Sequence, residues 1–123
     1  MTEVRLARLA NVLVDYCCDV KPGMWVGLLG DVVALPALRA VYREVLRYGG
    51  NPTVFISDEW MERAFIREAS DEQIAWLDPS QTLYYEQADI YIRIGATSNT
   101  RAMSNISAER TQKVRAARRS WLD

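Results

Sequence analysis

The chain has 123 residues, of which 50% are hydrophobic and 25% charged, and its formal net charge is −1. This length and composition are typical of one globular domain with its own core and argue against intrinsic disorder. The near-neutral charge gives no bulk attraction to nucleic acid or anionic lipid. Because the sequence contains no histidine, it excludes a Ser-His or Cys-His nucleophile pair and any metal site that needs imidazole.

The two cysteines and the N-terminal residues indicate the compartment. Cys17 and Cys18 are adjacent, and they form neither a disulfide framework nor a CxxC motif. Such thiols are typical of a reducing environment. The first residues lack the basic start and apolar run of a signal peptide, and no apolar stretch approaches the roughly 20 residues that span a bilayer. We therefore expect a cytoplasmic protein without a membrane partner.

An amphipathic pattern over residues 3–18 predicts the first helix, which Thr2 can cap. The turn at 19–23 contains Pro22 and Gly23, and both residues disfavour continuation of the helix. A short apolar run at 24–30 follows and is typical of a strand covered on both faces. The apolar positions of the helix are Val4, Leu6, Leu9, Leu13, Tyr16 and Cys17.

Residues 35–48 are predicted to form the second helix, with Pro36 in its first turn and two glycines after its end. A second buried-type strand follows at 53–57, and this strand–helix–strand order predicts a parallel βαβ unit. The charged residues of the helix, Glu44 among them, fall mostly outside its apolar stripe. The predicted buried stripe consists of Leu38, Val41, Tyr42, Val45 and Leu46.

Residues 58–88 contain start signals for three short helices, including a capping box that begins at Ser70. A third strand is predicted at 88–96, where apolar and polar residues alternate, which indicates either one solvated face or an edge position. Ser107 can cap a last helix that ends near Trp121. We therefore expect one α/β domain over residues 1–123, with a small, mainly parallel sheet of about three strands, built from βαβ units and flanked by helices.

Charge is distributed unevenly along the second half of the chain. Residues 57–89 contain nine acidic and two basic residues, whereas residues 93–123 contain seven basic and two acidic residues. The two segments can face each other, or each can be a solvated helix surface. The basic run at 110–119 can alternatively bind an acidic partner or RNA, although nucleic-acid binding is weakly supported on a chain with a net negative charge.

The candidate binding residues lie where the predicted strands end. Ligands of open parallel sheets collect beyond the carboxyl ends of the strands. Small and polar residues at these positions can line a cleft, but helix capping demands the same residue types. The candidate cleft-lining residues are Gly30, Asp31, Ser57, Asp58, Thr97 and Asn99.

Two further patterns have simpler explanations than ligand binding. Gly27 and Gly30 stand where a dinucleotide-binding motif would begin its helix, but the spacing is wrong and a third glycine is missing. Asp58, Glu59 and Glu62 place carboxylates on one helical turn. A carboxylate site for Mg²⁺ or Ca²⁺ needs no histidine, but the oxygen-rich, glycine-containing loop that holds Ca²⁺ is absent. Acidic residues in the first turn of a helix already stabilise it through the helix dipole, which is the simpler explanation.

The order and spacing of several segments resemble the amino-terminal domain of the aminopeptidase T family of metallopeptidases. The likeness covers nearly the whole chain and depends on the order and spacing of the segments together. The segments are LANVLVDY (9–16), VKPGMWV (20–26), LPALRAVYRE (35–44), GGNPTV (49–54), REASDEQI (67–74), ADIYIRI (88–94) and NTRA (99–102).

The resemblance implies a parent enzyme that removes amino-terminal residues from peptides with two divalent metal ions, zinc or cobalt. In that family a carboxy-terminal domain holds the ions through Glu, His, Asp and Tyr residues, and none of those ligand motifs matches this sequence. We therefore expect no catalytic or metal-binding residue in this chain and no cofactor bound by it. The expected partners are a separate carboxy-terminal catalytic domain, further copies of the chain in a homo-oligomer, and a peptide substrate of the parent.

Overall fold

The computed structural model describes residues 3–95 and 108–122. It contains a three-stranded parallel sheet together with helices, which confirms the predicted fold class. The strands are β1 (Trp25–Asp31), β2 (Asn51–Ser57) and β3 (Ile90–Ile94), and the helices are α1 (Glu3–Asn11), α2 (Leu35–Arg47), α3 (Glu59–Glu68), α4 (Asp71–Ala75), α5 (Pro79–Gln87), α6 (Ala108–Ala117) and α7 (Arg119–Leu122).

The described residues form two compact units. The first contains the residues up to Ser57 and those from Gln87 to Gly95, and therefore the whole sheet. The second contains Asp58–Glu86 and the described residues from 108 onward. None of the helices in the described ranges is long and apolar enough to cross a membrane.

The sheet of the first unit has the order β2-β1-β3, so β1 is central and β3 is an edge strand, which is one of the two explanations that its alternating pattern allowed. Leu28 of β1 lies opposite Val54 of β2 and Ile92 of β3. Neighbouring residues in a parallel register point to the same face. On that face the sheet packs against α2, which in turn packs against α1. The buried core residues are Ala10, Val14, Val20, Val26, Leu28, Leu38, Val41, Val45 and Ile92.

The first helix ends earlier than predicted as an α-helix and continues as a π-helix over Val12–Cys17. Its predicted apolar stripe is only partly correct: Leu13 packs against the core and Leu6 is half-buried, whereas Val4, Leu9 and Tyr16 are exposed. Ala10 and Val14 are buried instead. Tertiary packing against the core therefore decides which side of this segment is buried, and it overrides the apolar periodicity. The proposed cap at Thr2 lies outside the described residues.

The end of α2 forms a Schellman motif. Gly50 N donates to Val45 O at 2.9 Å, and Gly49 N donates to Leu46 O at 3.0 Å. Gly49 has a φ of +82°, a conformation that glycine adopts without steric cost. β2 begins at the next residue, Asn51, so this motif ends the crossover between β1 and β2.

The predicted buried stripe of α2 is correct at three positions and wrong at two. Leu38, Val41 and Val45 are buried, whereas Tyr42 is 40% and Leu46 53% exposed. Glu44, which was predicted to lie outside the stripe, is only 4% exposed. The buried face of α2 is therefore rotated about the helix axis relative to the predicted face. Glu44 lies on the buried face, where it binds polar partners described below.

The second unit consists of the five helices α3 to α7. The capping box is present, since Ser70 Oγ accepts from Gln73 N and Gln73 Oε1 accepts from Ser70 N. Asp78 Oδ1 accepts hydrogen bonds from the backbone N–H and the hydroxyl of Ser80, and these bonds lower the pKa of Asp78. The predicted last helix is divided in two, with α6 ending at Ala117 and α7 starting at Arg119. Ser107 lies outside the described residues.

Candidate functional site at the ends of the strands

Three of the predicted site residues meet at the carboxyl edge of the sheet. Asp31 and Ser57 are the last residues of β1 and β2 and lie opposite each other in the register. Ser57 Oγ donates a hydrogen bond to Gly30 O at 3.4 Å, so the two strand ends are connected. Thr97 and Asn99 lie outside the described residues, and Asp58 begins the second unit.

Both carboxylates among these candidates cap a following helix. Asp31 Oδ1 accepts a hydrogen bond from Val33 N at 3.0 Å, at the start of the 3₁₀ turn Val32–Ala34. Asp58 Oδ2 accepts from Met61 N at 3.2 Å and caps α3. These bonds satisfy backbone donors that would otherwise have no partner within the helix. The capping role that the sequence allowed is therefore present at both positions.

Gly30 allows a close approach between β1 and α2. A Cβ atom placed on Gly30 would lie 2.9 Å from Leu38 Cδ1 and 3.2 Å from Ile94 O. A side chain at this position would have to displace both the helix residue and the edge-strand backbone. The glycine therefore serves packing at the end of β1, where α2 crosses the sheet.

The described residues do not form a site for a pair of divalent metal ions. In the ranges that the structure covers, no three or more His, Cys, Asp or Glu side chains lie close enough together to hold a metal ion. Glu62, one of the carboxylates in the first turn of α3, instead pairs with Arg118. Cys17 and Cys18 are free thiols, and burial raises the pKa of Cys18, with the neighbouring Cys17 adding to the rise.

The basic residues of the last helices are used inside the second unit. Arg110 donates from Nε to Ile66 O and from Nη2 to Ala69 O, both at 2.7 Å. Lys113 pairs with Asp71, and Arg118 pairs with Glu62. The Arg118 guanidinium also lies 5.1 Å from the centroid of the Phe65 ring. The acidic and basic segments therefore meet each other, which was one of the two simple interpretations of their charge.

A buried polar cluster in the first unit was not predicted from the sequence. Glu44 Oε2 accepts a hydrogen bond from Asn11 Nδ2 at 3.1 Å, and Glu44 Oε1 accepts from Arg47 Nη1 at 2.8 Å. Asn11 Nδ2 also lies 3.1 Å from the hydroxyl of Tyr48. The cluster joins α1 to α2 and satisfies the buried carboxylate. Nothing in the local pattern of α2 singles out Glu44, because its partner Asn11 is 33 residues away.

Comparison with known proteins identifies the family. No curated protein matches the chain. Among solved structures, the chain is similar to wild-type AmpT from Thermus thermophilus, with 20% identity and a TM-score of 0.74. The match covers 98% of this chain and 32% of the AmpT chain, so the 123 residues span about a third of that protein's length. At this identity the likeness supports the fold alone.

The family model for thermophilic metalloproteases (M29) matches residues 2–123, which is almost the entire sequence. This match confirms the resemblance that the order of the segments indicated. The chain belongs to the M29 family of thermophilic metalloproteases.

Proposed function

We propose that this chain is the amino-terminal, non-catalytic domain of a longer, metal-dependent aminopeptidase that removes amino-terminal residues from peptides. The observation that carries the proposal is the metalloprotease family match over residues 2–123. The peptide-hydrolase activity comes from the resemblance to the aminopeptidase T family. The span of about a third of the AmpT chain supports a role as one part of a longer polypeptide.

In this proposal the two divalent metal ions, zinc or cobalt, are held by another part of the enzyme. The 123 residues contain no histidine, and the described ones contain no group of carboxylates and thiols that could hold an ion. The domain instead supplies a wall of the substrate cleft. The polar strand ends around Asp31 and Ser57 are its candidate lining, because open parallel sheets bind ligands at this edge.

The assembly and location of the enzyme are also part of the proposal. We expect a cytoplasmic homo-oligomer. Exposed aromatic side chains such as Trp60 and Trp76, which are 67% and 65% exposed, support association with further polypeptide. RNA is not the expected partner of the basic helices, because Arg110, Lys113 and Arg118 bind groups within their own unit.

The test is a comparison of the 123-residue chain with the longer polypeptide in a chromogenic aminopeptidase assay with added zinc or cobalt. We expect hydrolysis by the longer polypeptide only, and no stoichiometric binding of either ion to the short chain in calorimetric titrations. A tight isotherm with one or two sites on the short chain, or hydrolysis by it, would contradict the proposal. Activity of the longer polypeptide that persists after chelation would contradict it as well.

A further inference from the structure

An apolar groove of about 490 Å³ lies in the first unit between α2 and β2. Its walls include Leu35, Tyr42 and Leu46 of α2 and Val54 and Ile56 of β2. These side chains are partly open to solvent, with Leu46 53% and Ile56 50% exposed. The groove therefore presents apolar surface that the described part of the chain does not cover.

The groove borders the buried core, although its own apolar residues are partly exposed. Tyr42 and Leu46 continue the apolar stripe of α2, and Val54 lies beside Leu28 on the face of the sheet that packs against that helix. Parallel sheets in proteins have both faces covered. Because these residues are exposed, the described part of the chain leaves the outer strand β2 incompletely covered on this side of α2.

The edge of the sheet beside the groove is suited to strand addition. β2 is the outer strand of the order β2-β1-β3, and Asn51–Ser57 contains no charged residue. Edge strands that remain open to water usually carry charges or bulges that prevent further pairing, and Pro52 is the single such feature in this strand. A peptide that adds to an open edge gains backbone hydrogen bonds and places alternate side chains in the adjoining groove.

Two positive charges beside the groove indicate the charge of the segment that would bind there. Arg39 and Arg43 line the groove one helical turn apart, are exposed, and have no carboxylate partner in the described part of the chain. A second copy docked groove to groove would bring its own arginines against these two, which is unfavourable. An occupant with carboxylates beside its apolar residues would instead pair with them.

We propose that the groove receives an extended, apolar segment with flanking carboxylates, which adds as a strand beside β2 and comes from the metallopeptidase polypeptide outside these 123 residues. The origin of the segment rests on the proposed function, under which most of the enzyme lies outside this chain, as the 32% coverage of AmpT suggests. The chemistry of the groove itself does not depend on it.

The experiment titrates the 123-residue chain with two blocked synthetic peptides that alternate valine and threonine, one flanked by glutamates and the other by lysines. We expect the glutamate peptide to bind, the lysine peptide not to bind, and the amides of β2 to gain protection from hydrogen exchange. The double variant Arg39→Glu/Arg43→Glu should weaken binding about tenfold, as expected for the loss of two exposed ion pairs. Ile56→Asp should abolish it.

The matched control is the double variant Arg8→Glu/Arg67→Glu, which makes the same charge change at exposed positions away from the groove and should bind as the parent does. Equal affinity for both peptides, no binding, or protection outside β2 would overturn the proposal. A dimer of the chain that is lost in Ile56→Asp would overturn it too, because a second copy would then be the occupant. Loss of hydrolysis by the longer polypeptide would count against the proposed function alone, since the titration involves no catalysis.

Discussion

Gly30 illustrates how one residue at a strand end can be explained by packing. Gly30 is the second-last residue of β1, next to the polar edge where ligands of parallel sheets bind, and its missing side chain leaves room for Leu38 of α2. A glycine at this position could serve ligand binding or helix packing, and the contact with Leu38 shows that packing requires it.

Replacement of this glycine should destabilise the chain even though alanine is small. We expect Gly30→Ala to lower the free energy of unfolding by about 1 to 3 kcal/mol, because the new methyl group overpacks a filled contact with Leu38 and Ile94 O. Urea unfolding followed by circular dichroism measures this. The control is Gly95→Ala, since a Cβ there has no heavy atom of the described residues within 4 Å. Equal stability of the two variants would show that the strand end is looser than described.

The Asp71–Lys113 pair predicts a pH dependence. The hydrogen bond from Lys113, and next the charge of that lysine, lower the pKa of Asp71 below its ordinary value. Because folding lowers this pKa, the pair stabilises the fold above the unfolded carboxyl's pKa, and the effect disappears as the pH falls through the folded value. Lys113→Met should raise the pKa of Asp71 in an NMR titration of the side-chain carboxyl. A pKa that stays low in Lys113→Met, or rises equally in Arg115→Met, would assign the shift to another cause.

At the scale of elements, α3 and α6 are joined by one arginine. The guanidinium of Arg110 spans Ile66 O and Ala69 O at the carboxyl end of α3, where helix carbonyls lack partners. The two bonds use the fixed fork of the guanidinium, which an ammonium group does not reproduce.

Arg110→Lys should therefore destabilise the second unit although it conserves the charge. We expect a loss of about 1 to 3 kcal/mol, the usual worth of hydrogen bonds to a charged group. Unfolding can be followed by tryptophan fluorescence, because Trp60, Trp76 and Trp121 belong to this unit. Arg115→Lys, on the exposed side of α6, should leave the stability unchanged. A similar loss in both variants would point to the helix as a whole and not to the fork.

Sequence patterns predicted the elements well and their faces less well. The alternating strand–helix order, the turn at Gly49 and the cap at Ser70 depend on short-range chemistry, and all three are present. Which side of a helix is buried depends on neighbours far along the chain. Glu44 is buried because Asn11 lies opposite it, and Leu46 is exposed because no described element covers it. At the strand ends, the residue types were compatible with capping and with binding, and only the hydrogen bonds identify the caps.

At the scale of the whole molecule, the exposed aromatic surface should make the isolated chain associate with itself. Trp60 and Met61 are 67% and 58% exposed on α3. Adjacent exposed apolar side chains of this size are typical of sites where proteins associate. Static light scattering over a range of concentrations should give a mass that rises with concentration. The rise should be smaller in Trp60→Gln/Met61→Gln and unchanged in Tyr16→Gln, which alters an exposed aromatic residue of the other unit. A constant monomer mass at high concentration would contradict this prediction.

The strand order has a consequence for synthesis on the ribosome. Trp25, at the start of β1, donates its backbone N–H to the carboxylate of Asp89, 64 residues later. The central strand β1 therefore cannot pair with β3 until α3, α4 and α5 have been translated. During that interval the nascent chain contains a parallel β1–α2–β2 unit in which the edge of β1 that pairs with β3 is still open. A chaperone that binds strand edges would find its target there before Ile90 leaves the exit tunnel.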